Sequence, residues 1–152
     1  MLDLIIKNGL CYINKDLKKQ DIAIKDGKIV KIGKIDENSK KIFQAESLTV
    51  LPGCIDTQTH FREPGSTDTE DLNSGSRAAV AGGITAVFEM PNTNPPTSTK
   101  KEFQRKLDLA KNRMYCNYAF YFGATADNSD QLADLKKLEG CCGIKLLSLI
   151  HI

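Results

Sequence analysis

A chain of 152 residues is long enough to bury a core, and its 21 Lys and Arg against 19 Asp and Glu leave a net charge of only +2. Such a balanced charge gives no reason to expect nucleic acid or an anionic membrane surface as a partner. The longest apolar run is far shorter than the ~20 residues of a membrane span, and no basic segment precedes an apolar one at the N-terminus, so we expect a cytoplasmic protein.

Residues 1–51 carry the signals of short β-strands separated by tight turns. Apolar, β-branched runs occupy positions 4–6, 22–24, 29–32 and 48–51, and Asp26-Gly27 between two of them is a strong hairpin signal. Residues 36–41 are predicted to form a polar loop. This part is therefore predicted to be a small β-unit, and the alternative is an independent β-domain.

From residue 52 onward the sequence alternates between strand and helix signals. Strands are predicted within 52–60 and at 84–89, 118–122 and 142–147, and helices at 69–81, 100–114 and 130–138. In the second helix, Phe103, Leu107 and Ala110 share one face, and the other face is predicted to be charged. Four strands with three helices between them predict parallel pairing through right-handed crossovers.

The stretch 52–65 combines a strand with polar residues at its end. Strand alternation would put Asp56, Gln58 and His60 on one face. Arg62 follows just before Glu63-Pro64-Gly65, where proline and glycine turn the chain. Because ligands of α/β folds bind at the carboxyl ends of the strands, this stretch predicts a ligand site.

Two motifs in the chain carry a family resemblance. The pattern Pro-Gly-x-Ile-Asp-x-x-x-His-x-Arg-Glu-Pro-Gly in 52–65, with Glu89-Met90-Pro91-Asn92-Thr93 after it, resembles the cyclic amidohydrolases, most closely the dihydroorotases. The resemblance extends to Lys145 and implies an α/β fold, a (β/α)₈ TIM barrel of roughly 250 residues. We therefore expect 52–152 to form a partial barrel of about four strands, truncated, after a β-unit at 1–51 that is part of a composite sandwich.

The resemblance also implies roles for particular residues. Arg62 and Asn92 would hold a substrate carboxylate, for which the planar guanidinium is suited. The family's first strand carries His-x-His as zinc ligands; here those positions are Gln58 and His60, and an amide oxygen is a weaker zinc ligand than an imidazole. Lys145, once carbamylated, would bridge a pair of Zn²⁺ ions; judged from the residue alone, a lysine whose ammonium reaches solvent is an equal alternative.

The remaining polar residues near these motifs have weaker assignments. Asp56 could bind metal, orient a neighbour or pair with Arg62, and these alternatives stay open. Glu63 and Glu89 are predicted to be structural. His151, the only other histidine, follows a segment that departs from the family pattern, so no ligand role is assigned to it.

The activity implied by the resemblance is reversible hydrolysis of dihydroorotate to N-carbamoyl-aspartate in pyrimidine biosynthesis. A zinc pair would lower the pKa of bound water to roughly 7 for this reaction. Since the family's further histidine ligands and its proton-shuttling aspartate have no counterpart here, we expect the 152-residue chain to be inactive alone. Two alternatives are a hydantoinase or dihydropyrimidinase, and a non-catalytic dihydroorotase-like subunit that binds a transcarbamoylase. Apart from a small-molecule substrate, the expected partners are that enzyme or a second copy of the chain.

Overall fold

The computed structural model describes residues 1–146, so the predicted strand residue Leu147 and all later residues lie outside the described part. The chain divides into two compact units, Met1–Pro52 and Gly53–Ile152. We call them the β-unit and the barrel unit.

The β-unit is a single five-stranded sheet. Its strands are β1 (Leu2–Ile13), β2 (Asp16–Lys25), β3 (Lys28–Gly33), β4 (Ser39–Gln44) and β5 (Thr49–Val50). The antiparallel strands β1, β2 and β3 follow one another, and β4 and β5 both pair with β1 in parallel. The predicted hairpin at Asp26-Gly27 is confirmed: both residues have positive φ, 50° and 70°, as a type I′ turn requires.

The loop predicted at 36–41 is wrong in its second half, because β4 begins at Ser39. This strand runs along β1 with Leu2 opposite Ser39 and Lys7 opposite Gln44. Nearly all side chains of β4 are exposed, so its sequence lacks the pattern that a buried apolar face would give. Backbone pairing with β1 creates the strand, and that pairing leaves no mark in a local sequence pattern.

The barrel unit has the predicted alternation of strands and helices. Its elements are β6 (Cys54–Thr59), α1 (Leu72–Ala81), β7 (Ile84–Glu89), α2 (Lys100–Ala110), β8 (Asn117–Gly123), a 3₁₀ helix (Ser129–Lys137) and β9 (Cys141–Lys145). The four strands form one sheet in the order β6-β7-β8-β9, and every neighbouring pair is parallel. The predicted α/β fold, a partial TIM barrel preceded by a β-unit, is confirmed. Within residues 1–146, each helix falls short of the length and hydrophobicity of a membrane span.

Side-chain caps begin both α-helices. Asp71 accepts a hydrogen bond from the Ser74 N–H at 2.6 Å, and the Ser74 hydroxyl accepts one from the Asp71 N–H, which completes a capping box. Thr99 accepts from the Glu102 N–H at 3.2 Å, so α2 begins where the sequence predicted. It ends at Ala110 rather than at residue 114.

One face of the sheet is covered by these helices. Phe103 of α2 packs against Phe120 and Phe122 of β8, with ring centroids 6.3 and 6.2 Å apart. On the other face, the rings of Phe88 and Tyr121 meet edge to face at 6.4 Å. Since all four strands run in one direction, the residues that follow them lie along one edge of the sheet, which we call the carboxyl edge.

Candidate active site at the carboxyl edge of the sheet

Two of the predicted residues meet at the carboxyl edge. His60 directly follows β6, Asn92 lies in the loop after β7, and His60 Nδ1 is 2.8 Å from Asn92 Oδ1. An amide oxygen only accepts, so Nδ1 carries the proton and donates it to this bond. The lone pair of His60 Nε2 is then available to a ligand or a proton. The exposed Asn92 keeps its NH₂ group as a donor.

Arg62 is exposed and stands next to a rigid anchor. Its neighbour Glu63 is buried and accepts hydrogen bonds from both terminal nitrogens of Arg113, at 2.7 and 3.0 Å, and from the Leu72 N–H at 3.0 Å. The predicted structural role of Glu63 is therefore confirmed. Arg62 itself forms no ion pair in the described part of the chain, so its guanidinium can receive an anion.

The turn that carries Arg62 touches the loop that carries Asn92. Gly65 has φ of +124°, and a Cβ there would lie 2.9 Å from the Asn94 Cβ and 3.1 Å from its carbonyl oxygen. The Asn94 N–H donates to the Pro64 carbonyl at 3.0 Å. The glycine thus allows two loops at the carboxyl edge to approach closely.

The strict alternation predicted from Asp56 to His60 is wrong. The pairing of β6 with β7 shifts between Asp56 and Thr59, and such an irregularity breaks the two-residue repeat of the faces. The exposed Asp56 accepts a hydrogen bond from the Gln58 N–H at 2.9 Å. Of its open roles, the structure therefore favours orienting a neighbour. Gln58 is exposed as well.

Lys145 ends β9 at the same edge. It pairs with Gly123 of β8, and its carbonyl accepts from the Ala124 N–H at 2.9 Å. A Cβ on Gly143 would lie 3.3 Å from the Tyr121 ring, so by alternation the half-buried Lys145 side chain lies on the sheet face opposite the helices. Among residues 1–146, no hydrogen bond or ion pair joins Lys145 to His60.

These residues do not by themselves fit a zinc pair. In the described part of the chain, no three His, Cys, Asp or Glu side chains gather closely enough to hold a metal ion. The edge offers one imidazole of His60, the exposed amide of Gln58, and Lys145, which would ligate only as a carbamate. Zinc usually takes four ligands, so each ion of a pair would need more donors than these. His151 lies outside the described residues.

Sequence reasoning missed the burial of Lys106. The sequence gives Lys106 no role and predicts only that the face of α2 opposite Phe103 is charged. The Lys106 side chain is fully buried and forms an ion pair with the fully buried Glu89 at the end of β7. Phe103, Lys106 and Ala110 stand at helical spacings of three and four, so Lys106 lies on the apolar face, and that spacing was the signal. Burial raises the pKa of Glu89 to about 8 against the opposing effect of the Lys106 ammonium, and burial lowers the pKa of Lys106.

Comparisons with known proteins agree on the family. A model of the amidohydrolase family matches residues 49–141. A dihydroorotase of Methanosarcina acetivorans is 41% identical over 140 residues, which are 91% of this chain and 30% of that protein. An allantoinase of Escherichia coli is 40% identical over 144 residues, 94% of this chain and 32% of that protein. The predicted resemblance is confirmed.

Solved structures show the same architecture. The L-hydantoinase of Arthrobacter aurescens superposes with a TM-score of 0.87 at 29% identity, covering 95% of this chain and 32% of that one. A D-hydantoinase superposes with a TM-score of 0.77 at 33% identity, covering 93% and 32%. The chain spans about a third of the length of each of these relatives.

Proposed function

This chain belongs to the amidohydrolase family, and on that premise we propose that it supplies part of the site of a cyclic amide hydrolase whose substrate is dihydroorotate. The product would be N-carbamoyl-aspartate, and the reaction a step of pyrimidine biosynthesis. One observation carries the choice of substrate: the exposed guanidinium of Arg62 stands on a turn that contacts the loop of the His60–Asn92 pair. A ring amide with a carboxylate matches that cation.

The roles follow from the donors and acceptors of each side chain. Arg62 would bind the substrate carboxylate with two parallel N–H donors, and the Asn92 NH₂ group would donate to the same carboxylate. The bond from His60 Nδ1 to Asn92 fixes the imidazole tautomer, so that Nε2 would accept a proton or bind a metal ion. These residues thereby bind and orient the ring.

The metal remains a separate prediction. A pair of Zn²⁺ ions bridged by carbamylated Lys145, with His60 and Gln58 as further ligands, would require donors beyond those of residues 1–146. No step above depends on these ions. Zinc analysis tests the prediction: close to two ions per chain support the pair, and none or one would point to a degenerate site or a non-catalytic subunit.

A second candidate function is a hydantoinase-type reaction on a ring amide without a carboxylate. The two superposed hydantoinases favour it. For this candidate, Arg62 would have no role in recognising the substrate. Binding to a transcarbamoylase or to a second copy, and a cytoplasmic location, remain predictions.

Substituting Arg62 separates the two candidates. We expect Arg62→Met to weaken calorimetric binding of dihydroorotate by about tenfold or more, because it removes a charge-assisted hydrogen-bonding pair. Binding of uncharged hydantoin should not change. Arg105→Met, which removes an exposed arginine of α2, is the matched control. If Arg62→Met left dihydroorotate binding intact, or if hydantoin bound the parent chain as tightly, the second candidate would replace the first.

A further inference from the structure

A buried ammonium lies directly behind the loop that carries Asn92. Lys106 Nζ contacts the Glu89 carboxylate, donates to the Met90 carbonyl at 3.2 Å and to Thr97 Oγ1 at 3.3 Å, and stands 5.2 Å from the centre of the Phe120 ring. Met90 and Thr97 are the two ends of the 90–97 loop. One ammonium therefore binds both ends of this loop.

The 90–97 loop is a closed structure built on that ammonium. The Thr97 N–H donates to the Pro91 carbonyl at 2.9 Å, and the Thr93 hydroxyl donates to the Pro95 carbonyl at 2.9 Å. The Thr97 carbonyl accepts from the Gly123 N–H of β8 at 2.8 Å. With its two ends held together, the loop presents Asn92 to the histidine that follows β6.

Burying the ion pair of Glu89 and Lys106 between α2 and the sheet is energetically unfavourable. Among the residues that the structure describes, Oε1 of Glu89 has no hydrogen-bond partner. Two apolar side chains of similar volume would avoid the desolvation of two charges, and such replacements in other proteins are often neutral or stabilising. An apolar side chain, however, could not donate to Met90 and Thr97. The ammonium is needed for the loop rather than for packing alone.

We propose that Lys106, paired with Glu89, is a positioning residue of the candidate site: it holds the 90–97 loop so that Asn92 orients the His60 imidazole. Lys106 itself does not contact the substrate. This inference rests on the proposed function only for the identity of the site, since the contacts of Lys106 belong to the free protein. The chemical role is that of a buried cation that closes a loop.

The test uses a double variant that keeps the volume and removes the cation. In the full chain carrying Glu89→Leu and Lys106→Met, we expect the unfolding midpoint to be retained while the His60 Nδ1 proton exchanges with solvent about tenfold faster or more, measured by NMR. Comparison with His151→Gln, which removes the other imidazole of the chain, assigns the signal. Lys101→Met, on the exposed face of α2, is the matched control and should leave the exchange rate unchanged.

If the double variant does not fold, a milder variant tests the positioning role of Lys106. Thr97→Val keeps the shape of the side chain and removes one of the two loop contacts of Lys106, so we expect it to speed exchange of the same proton by about threefold. The exposed Thr67→Val is its control. A folded double variant, or Thr97→Val, with the parent exchange rate would overturn the positioning role. Neither readout requires a ligand, so this result is independent of whether dihydroorotate binds.

Discussion

In each unit of this protein a lysine pairs with a buried carboxylate, and the pKa values of the two carboxylates shift in opposite directions. In the β-unit, Asp21 pairs with Lys7 at 3.3 Å and also accepts hydrogen bonds from the N–H groups of Asn8 and Ile35, at 2.9 and 3.2 Å. Burial acts to raise the pKa of Asp21, but these backbone donors and Lys7 together lower it. Among the residues that the structure describes, Glu89 of the barrel unit has only Lys106 as a polar partner, and burial raises the pKa of Glu89 to about 8.

The difference shows that depth of burial and backbone donors, more than the lysine, decide the state of each carboxylate. Two N–H groups replace the lost water around Asp21, and within residues 1–146 no N–H group does so around Glu89. The Asp21 pair therefore stabilises the charged form of its carboxyl group. Burying Glu89 with Lys106 is electrostatically unfavourable. We attribute the presence of this pair to the hydrogen bonds that Lys106 donates to the 90–97 loop.

The largest effect is expected from breaking the more deeply buried pair. Lys106→Met should lower the free energy of unfolding of the barrel unit by about 3–5 kcal/mol, because it leaves a buried carboxyl group without a partner. Hydrogen exchange of the β7 and β8 amides would measure the loss. Lys101→Met, exposed on the same helix, is its control, and equal effects of the two variants would contradict the comparison.

The pH dependence of that variant follows from the raised pKa. Without the opposing charge of Lys106, the pKa of Glu89 should remain at least as high as about 8, against its ordinary 4.5. Between these values the folded chain holds a proton that the unfolded chain has released, so stability is lost as pH rises through the folded pKa. The parent loses the same stability up to about pH 8, but the variant, whose Glu89 pKa should lie higher still without Lys106, goes on losing it above that value. The loss in Lys106→Met relative to the parent should therefore be larger above about pH 8 than at about pH 5.

A smaller loss of stability, with the opposite pH dependence, is expected from substituting Asp21. Asp21→Asn should cost the β-unit about 1–3 kcal/mol at neutral pH, because an amide cannot accept both backbone N–H bonds in the same geometry or pair with Lys7. The pKa of Asp21 lies below its ordinary 3.8, so the carboxylate stabilises the fold above that value and loses this effect as pH falls through the folded pKa. The gap between variant and parent should shrink in acid, measured by exchange of β1 amides. A constant gap would mean that the charge is unimportant.

The smallest effect is expected from an exposed pair. Lys31 and Glu37 approach to 2.5 Å, but their side chains are 48% and 49% exposed. Solvent screens such a pair, so Lys31→Met should leave the unfolding midpoint of the β-unit unchanged within error. A clear destabilisation would show that contact distance matters more than burial and backbone donors.

Local patterns were sufficient for most of the barrel unit. The strand at 84–89 matches β7 residue for residue, and Asp71 and Thr99 cap the two predicted helices. In such segments, periodicity, caps and breakers all favour the same structure. The edge strand β4 was missed because its Ser39–Gln44 side chains are mostly exposed and only its backbone is paired.

The candidate residues could be named from the sequence, but their contacts could not. The motifs identified His60, Arg62 and Asn92 as candidates that follow parallel strands, and Lys145 as a candidate on the fourth strand. That Asn92 binds His60 rather than standing free, and that the shifted pairing after Asp56 interrupts the alternation, depends on neighbouring strands. Such contacts join residues far apart along the chain, and no local pattern records them.

The sequence alone determined the order and type of most elements, the family and the candidate residues, because apolar periodicity, turn residues and two motifs are local. Only the tertiary structure decided that Lys106 is buried against Glu89 and that one ammonium closes the 90–97 loop. A charged residue on a helix face has two environments available, and the element that packs against that face selects one.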